Sequence, residues 1–421
     1  MPDLLNPDVA IARILEHIHP LGVEQIPLGA AYDRILAETI TASLNIPPFA
    51  NSSMDGFAVR AADVAHASKD SATRLKLVMD IAAGSVAARP LSAGEAARIM
   101  TGAPMPEGAD AVVPVEATDH HFLAGDTSAL PDSVGIFNAV RPGSSVRAAG
   151  EDIVAGQTVL TAGTRLRPQE VGVLAALGIA QVPVVRRPRV AILSTGDELV
   201  EVDQPLQAGQ IRDVNAYTLA GLVALYGGEA LHVPTARDTL EDVRLRFTEA
   251  LALTPDLILS SAGVSVGAFD VVRAVLAELG QVDFWRVNIR PGKPLAYGYL
   301  GADHIPFFGL PGNPVSAMVT FDVFVRPTLL KMSQRTDALP TIIATLEEPL
   351  QNDGRRSYFR VKLHHDDGIW YAKLTGTQSS GALLSMVLAD GLVIAPEDTY
   401  EIAAGTPLPV RVLKDYILFT S

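Results

Sequence analysis

The sequence predicts a multidomain α/β protein: a central α/β domain, a β-rich domain before it and a small β-structure after it. Three observations predict this. Between about residues 189 and 330, strand, small-residue loop and helix recur in succession, the pattern of a parallel sheet. From Arg74 to Arg147 the chain breaks into short β-runs separated by Gly and Pro. After Lys331, alternating strands continue with no long helical pattern, which reads as a small barrel or a sandwich.

The totals bound the rest. A chain of 421 residues is long for one core, and about two to four domains are expected. Apolar content of 48% with 19% charged residues describes globular protein, not disorder. A net charge of −14 disfavours nucleic-acid and anionic-membrane partners, so an anionic ligand has to be met by local cations or a bridging metal. With no cysteine there is no disulfide, thiolate metal site or Cys nucleophile. The opening residues lack a signal pattern and no apolar run approaches membrane-span length, so the expected location is the cytoplasm.

In chain order, residues 7 to 19 read as an amphipathic helix capped by Asn6, with Pro7 in its first turn. An extended link through Pro47 and Pro48 leads to Ser52, Ser53, Met54, Asp55 and Gly56; Asp55-Gly56 also reads as a plain turn. In "MTGAPMPEGADAVV", Thr101 and Gly102 could present a hydroxyl and a backbone N–H. A helix opens at Pro168 and closes at Gly178, and Arg186-Arg187-Pro188 marks a boundary. In the α/β block Asn215 is the expected cap of one helix, and Asp238 that of another, with Glu241 in capping-box position.

The chemistry gathers in the loops after the strands. In "DLILSSAGVSVGAFD", Leu257 to Leu259 form a buried strand; Ser260, Gly263, Ser265 and Gly267 belong to a loop able to bring N–H groups to an anion, and Asp270 lies at the next helix N-terminus. "VAILSTGDEL" and "IPFFGLPGNP" repeat the plan and carry Glu198, Pro311 and Pro314; "DFWRVNIRPGKP" brings Arg290 and Lys293. Ligands of open α/β sheets bind beyond the strands' carboxyl ends, where these loops gather. The carboxylates Asp55, Glu198, Asp238 and Asp270 could hold Mg²⁺ around a phosphate, although each is also explicable as turn or cap. There is no HExxH, GxSxG, Walker A or complete GxGxxG. The residues alone reach a soluble α/β enzyme or binding protein for a phosphorylated ligand.

The stretches "PPFANSSMDGFAVR", "IMTGAPMPEGADAVV", "VRAAGEDI", "STGDEL", "SAGVSVGAFD", "RPGKPLAYG" and "GLPGNPVSA", in this order, resemble the molybdopterin molybdenumtransferases, the MoeA family and gephyrin E-domain. The resemblance implies a molybdopterin-binding α/β domain at 185–330, an inserted β-rich domain at 27–144, a C-terminal β-barrel at 331–421, and a linking and dimerising domain from 1–26 and 145–184, with the opening helix packed on 145–184. It implies a homodimer with Asp55 working across the interface, and insertion of molybdate into adenylylated molybdopterin with Mg²⁺, releasing AMP. Carried over by motif, Asp55 and Thr101 serve from the β-rich domain. Glu198, Asp238 and Asp270 form the acidic, metal-holding set, and Lys293 with Arg290 faces phosphate. Ser260, Gly263, Ser265 and Gly267 line the substrate loop, Pro311 and Pro314 shape the cleft, and Arg355 or Arg356 and Ser380 face it from the barrel. Molybdate would suit the donors near Thr101.

Three positions depart from the family pattern: Ser261-Ala262-Gly263 in place of paired glycines, Arg290 in place of lysine, and Phe57 in place of tyrosine. A molybdopterin adenylyltransferase or a non-catalytic scaffold are the alternatives. The first is expected to lack the flanking domains, and the second has no need of the retained acids.

Overall fold

The computed structural model describes residues 4–122, 130–261, 269–336 and 340–414. The chain forms two compact units, one of Ile26–Tyr32 with Leu36–Val182, the other of Met1–Gln25, Asp33–Ile35 and Pro183–Ser421.

Helix α1 (Pro7–Glu16) begins as its sequence dictates: the Asn6 side chain accepts from the N–H groups of Asp8 and Val9, and Pro7 needs no partner. Its apolar stripe, Ala10 and Ile14 with Ile18 beyond the helix end, is fully buried in the core of the α/β region. Each isoleucine so placed contributes about 1.5–3 kcal/mol. The expectation that this helix packs on residues 145–184 is therefore corrected: α1 belongs to the other unit, and its apolar face finds a core within its own chain.

The first-named unit is built on a five-stranded sheet of β1 (Gly56–Val59), β2 (Thr73–Ile81), β3 (Glu95–Ile99), β4 (Ala111–Pro114) and β5 (Ser133–Ile136), ordered β4-β1-β3-β2-β5. Alternation sends Phe57, Leu75, Val113 and Ile136 into one core and Ala58, Ile81, Ile99 and Val112 into another, so both faces are covered. Phe57 packs edge-on against Phe122 at 5.5 Å, fully buried. Helix α2 (Pro168–Ala176) follows, with the Glu170 carboxylate accepting from the Arg167 N–H, and Gly178 turns the chain out of it at φ +73°.

The second unit holds a six-stranded sheet. Its strands are β6 (Arg189–Ser194), β7 (Glu229–His232), β8 (Leu257–Ser261), β9 (Gly280–Arg286), β10 (Pro294–Leu300) and β11 (Ile305–Leu310), in the order β7-β6-β8-β11-β10-β9. The first four of that order run parallel, and β10 runs antiparallel to both of its neighbours, β11 and β9. Successive residues face opposite layers. Val190, Ile192, Leu257 and Leu259 pack with α3 (Asn215–Leu225) and α1, whereas Ala191, Leu193 and Ile258 pack with α4 (Leu240–Ala252) and α5 (Phe269–Leu279). Gly280 begins β9, where a Cβ would lie 2.0 Å from the Tyr299 carbonyl.

From Pro314 one long helical segment runs to Met332, as α6 (Pro314–Thr320), a π turn over Phe321–Val325 and α7 (Arg326–Met332). It leads to β12 (Thr341–Leu346), β13 (Arg356–Asp366), β14 (Ile369–Leu374), α8 (Leu383–Leu388), β15 (Gly391–Ala395) and β16 (Pro407–Val412). The strands pair β13-β14-β12-β16-β15, and β15 returns to β13, closing a barrel around Leu346, Val361, Val393 and Val410. The barrel thus replaces the barrel-or-sandwich alternative. Asp322, buried in the π turn, pairs with Arg326 at 2.9 Å and with Arg411 of β16, tying helix to barrel. Among the described residues no helix is long and apolar enough to cross a membrane.

Candidate active site

At the carboxyl ends of β6 and β8 the chain turns into small polar residues, and a cavity of about 630 Å³ opens there. Its walls include Thr195, Glu198, Asn215, Asp238, Pro311 and Pro314. The Glu198 carboxylate folds back over Gly196, which has φ +149°; a Cβ there would lie 2.5 Å from Glu198 Oε2, so only glycine admits this placement. The Asp238 N–H donates to Asp197 Oδ1 at 3.1 Å, drawing a third acid to Glu198 and Asp238. Burial, with the charges of Asp197 and Glu198 added, raises the Asp238 carboxyl from its ordinary value of 3.8. Asp238 Oδ1 is buried and has no hydrogen-bond partner.

Two capping assignments are corrected. Helix α4 is capped by Thr239, whose Oγ1 accepts from the Asp242 N–H, while the Asp242 carboxylate reaches back to the Arg237 N–H at 2.7 Å. Threonine is itself among the preferred caps, and here the helix starts one residue later and leaves Asp238 lining the cavity. Likewise Asp213, not Asn215, accepts from the Ala216 N–H at the start of α3; Asn215 Nδ2 donates to the Gly312 carbonyl at 2.7 Å.

A second cavity, of about 430 Å³, adjoins the first through Gly292, Pro294 and Ser316, which line both. Gly292 has φ +103°, and a Cβ there would lie 2.3 Å from Thr320 Oγ1, so its absence lets the Arg290–Lys293 loop lie against α6. Arg290, Lys293, Arg355 and Arg360 contribute four cations to this cavity. Asp353 offsets two of them, at 3.7 Å from Arg290 and 3.1 Å from Arg355 Nε. Arg360 is 1% exposed, and among the described residues its guanidinium bonds to neutral oxygens, those of Ser385, Thr377 and Ser379. Burial first, then the charge of Arg290, lowers it to about 10, still protonated at neutral pH. Ser380 holds the two regions together: its Oγ accepts from Asn313 Nδ2 at 3.1 Å and its carbonyl from the Val315 N–H. Arg356 does not line this cavity; it pairs with Asp8 and Glu397.

The remaining predicted residues divide. Asp55 and Thr101 meet in the first unit, where the Thr101 N–H and Oγ1 both donate to Asp55 Oδ1 at 2.7 Å. Those two donors are thus engaged within the unit. Ser260 is fully buried in β8, and its Oγ has no partner. Gly263, Ser265 and Gly267 lie outside the described residues. Asp270 sits exposed in the first turn of α5. Among the described residues no three His, Cys, Asp or Glu side chains group closely enough to hold a metal, so Glu198, Asp238 and Asp270 are not a ready-made ligand set. Partial fit to Mg²⁺ is nonetheless present: the orphaned Asp238 Oδ1 is a hard oxygen crowded by like charge, and ligand oxygens would have to complete the shell.

Sequence reasoning placed Thr195 and Asp197 in the "STGDEL" loop without singling them out, and it missed the cavity roles of Asn215 and Arg360. Of those two, only Arg360 left a signal, as a cation in the apolar alternation of "SYFRVKL".

Fold and cleft together define a multidomain α/β ligand-binding type, with an acid-lined cavity at the strand ends and a cation-lined one beside it. Family models match in three consecutive segments: the MoeA N-terminal region (domain I and II) over 5–178, a probable molybdopterin binding domain over 191–331, and the MoeA C-terminal region (domain IV) over 344–413. The chain is 38% identical to molybdopterin molybdenumtransferase 2 of Mycobacterium tuberculosis, over 95% of this chain and 96% of that protein. It is 34% identical to the molybdopterin molybdenumtransferase of Bacillus subtilis, over 97% and 94%. Among solved structures, the molybdopterin biosynthesis MoeA protein of Pyrococcus horikosii superposes with a TM-score of 0.82 at 32% identity, covering 98% of this chain and all of that one. The chain belongs to the MoeA family, whose curated members named above are transferases.

Proposed function

We propose that this protein inserts molybdate into adenylylated molybdopterin, forming molybdenum cofactor and releasing AMP. The observation that carries the reading is the paired cleft: an acid-lined cavity at the strand ends continuous with a four-cation cavity on the barrel. An adenylylated, phosphorylated pterin and an oxyanion have the charge such a cleft receives. The family match along nearly the whole chain favours this over the adenylyltransferase alternative, and the acids kept in the cleft argue against a scaffold.

Lys293, Arg290 and Arg360 hold anionic oxygens, and Arg355 joins them if Asp353 yields its place. Because the donors of Thr101 are engaged on Asp55, the oxyanion is assigned to this cationic cavity. One of the cleft carboxylates, Glu198 or Asp238, orients a water toward the adenylate phosphorus, and the P–O bond to the pterin phosphate breaks to release AMP. Glu198 and Asp238 would hold Mg²⁺, which when bound offsets charge developing on the bridging oxygen. Asp270 joins them, and Ser260, Gly263, Ser265 and Gly267 form the substrate loop, on the resemblance alone. The four-domain division, with α1 now on the α/β core, the cytoplasmic location and the homodimer have the same standing.

Incubating the protein with adenylylated molybdopterin, molybdate and Mg²⁺ tests the reading: AMP is expected, and its absence ends the catalytic account. The dimer has its own test. Mixing inactive Asp55→Asn and Glu198→Gln chains restores activity if Asp55 serves the partner's cleft, whereas a mixture that stays inactive contradicts that arrangement.

A further inference from the structure

Buried polar atoms without partners are uncommon, and each calls for a ligand, a water or a function. Three such atoms belong to side chains lining the strand-end cavity: Thr195 Oγ1, Asn215 Oδ1 and Asp238 Oδ1. Asp238 Oδ1 has a use as a cation ligand, and the Thr195 hydroxyl can donate or accept. Asn215 Oδ1 is the informative one, because it can only accept. The amide orientation is fixed chemically: only the NH₂ group can donate to the Gly312 carbonyl at 2.7 Å, so the oxygen is the free arm. The side chain has no capping duty to explain it, since Asp213 satisfies the start of α3. Asn215 is 6% exposed and anchored to the loop that carries Pro311 and Pro314, so its acceptor is held in place before any ligand arrives.

We propose that Asn215 is a specificity-determining residue, its Oδ1 accepting a hydrogen bond from an amino group on a nitrogen heterocycle of the substrate. This rests on the transferase reading, whose substrate has two such groups, one on adenine and one on the pterin. It also gives the substrate a direction in the cleft. Anionic groups are drawn to Arg290, Lys293 and Arg360, and an amino heterocycle lies at the far end against an acceptor that rejects carbonyl and phosphate oxygens alike.

The test is calorimetric binding of two pairs of probes to the full chain: AMP against IMP, and neopterin against its lumazine counterpart, each second member carrying an oxygen where the first has its amino group. The wild-type chain is expected to prefer the amino member of one pair by about tenfold or more, because the oxygen analogue places two acceptors face to face. The pair that discriminates identifies the heterocycle. Asn215→Leu, or Asn215→Ser if the first does not fold, should abolish the preference. Equal binding within both pairs by the wild-type chain overturns the proposal, as does a preference that survives in the folded variant. Loss of molybdate-dependent AMP release with the amino preference intact would sink the transferase reading and leave this one standing.

Discussion

The two cavities of the cleft handle polar groups in opposite ways. On the barrel side, Asp353 already answers Arg290 and Arg355, and Arg360 is surrounded by serine hydroxyl and carbonyl oxygens. At the strand ends, Asp238, Asn215 and Thr195 are left with buried, unanswered atoms. The first cavity is a site with its counter-charge built in, whose ligand has to compete with an internal carboxylate. The second is a site whose folding cost is recovered only when a ligand or cation arrives. Enzymes that store such cost do so where the chemistry is carried out.

Substitutions should separate the two. The largest effect is expected at the strand ends: Glu198→Gln should lower AMP release by about two to three orders of magnitude while leaving the melting temperature unchanged, since a carboxylate over a glycine at a cavity edge supports no core. A comparable loss of stability would mean that Glu198 is structural. On the barrel side, Lys293→Met should weaken molybdate binding by about tenfold or more, as loss of a charge-assisted hydrogen bond does, with a smaller effect on turnover at saturation. An effect confined to turnover would remove Lys293 from the anion site.

A pair of variants tests the corrected cap. Thr239→Ala should cost about 1 kcal/mol of unfolding free energy in urea, and Asp238→Ala next to nothing. The reverse order would return the cap to Asp238. The smallest effect is at the surface. Asp8 accepts two bonds of 2.7 Å from Arg356, and that hydrogen bonding holds its carboxyl below its ordinary value of 3.8. A lowered native pKa means stability present above the ordinary carboxylate range and lost as pH falls through the native pKa. Asp8→Asn should therefore destabilise slightly at pH 7, by less than about 1 kcal/mol because the pair is exposed, and by less still in acid. A penalty independent of pH would exclude the charge as its cause.

What the sequence made legible follows the same division. Strands such as Val190–Leu193 and Leu257–Leu259 were readable because runs buried on both faces have few alternatives, and Asn6-Pro7 announces a helix start on local chemistry alone. Glu198, Lys293 and Pro314 were readable because their motifs are local. Asn215 and Arg360 were not, because their roles depend on Gly312 and on residues 377–385, which the fold alone brings near. The caps were misassigned by a residue or two because Asp-Thr and Asp-Val-Asn each offer more than one competent capping group. The docking of α1 was invisible for a further reason: an amphipathic stripe states that a partner exists and not which surface it is.

The central claim is that one cleft couples loss of AMP to uptake of molybdenum, and it is tested most directly by measuring both products in one reaction. Adenylylated molybdopterin, Mg²⁺ and the purified chain are incubated with and without molybdate, and AMP and pterin-bound molybdenum are quantified over time. The account predicts AMP and molybdenum-loaded pterin in equal amounts when molybdate is present, and almost no AMP when it is left out. AMP released at the same rate without molybdate would make the protein a hydrolase of the adenylylated pterin and contradict the account.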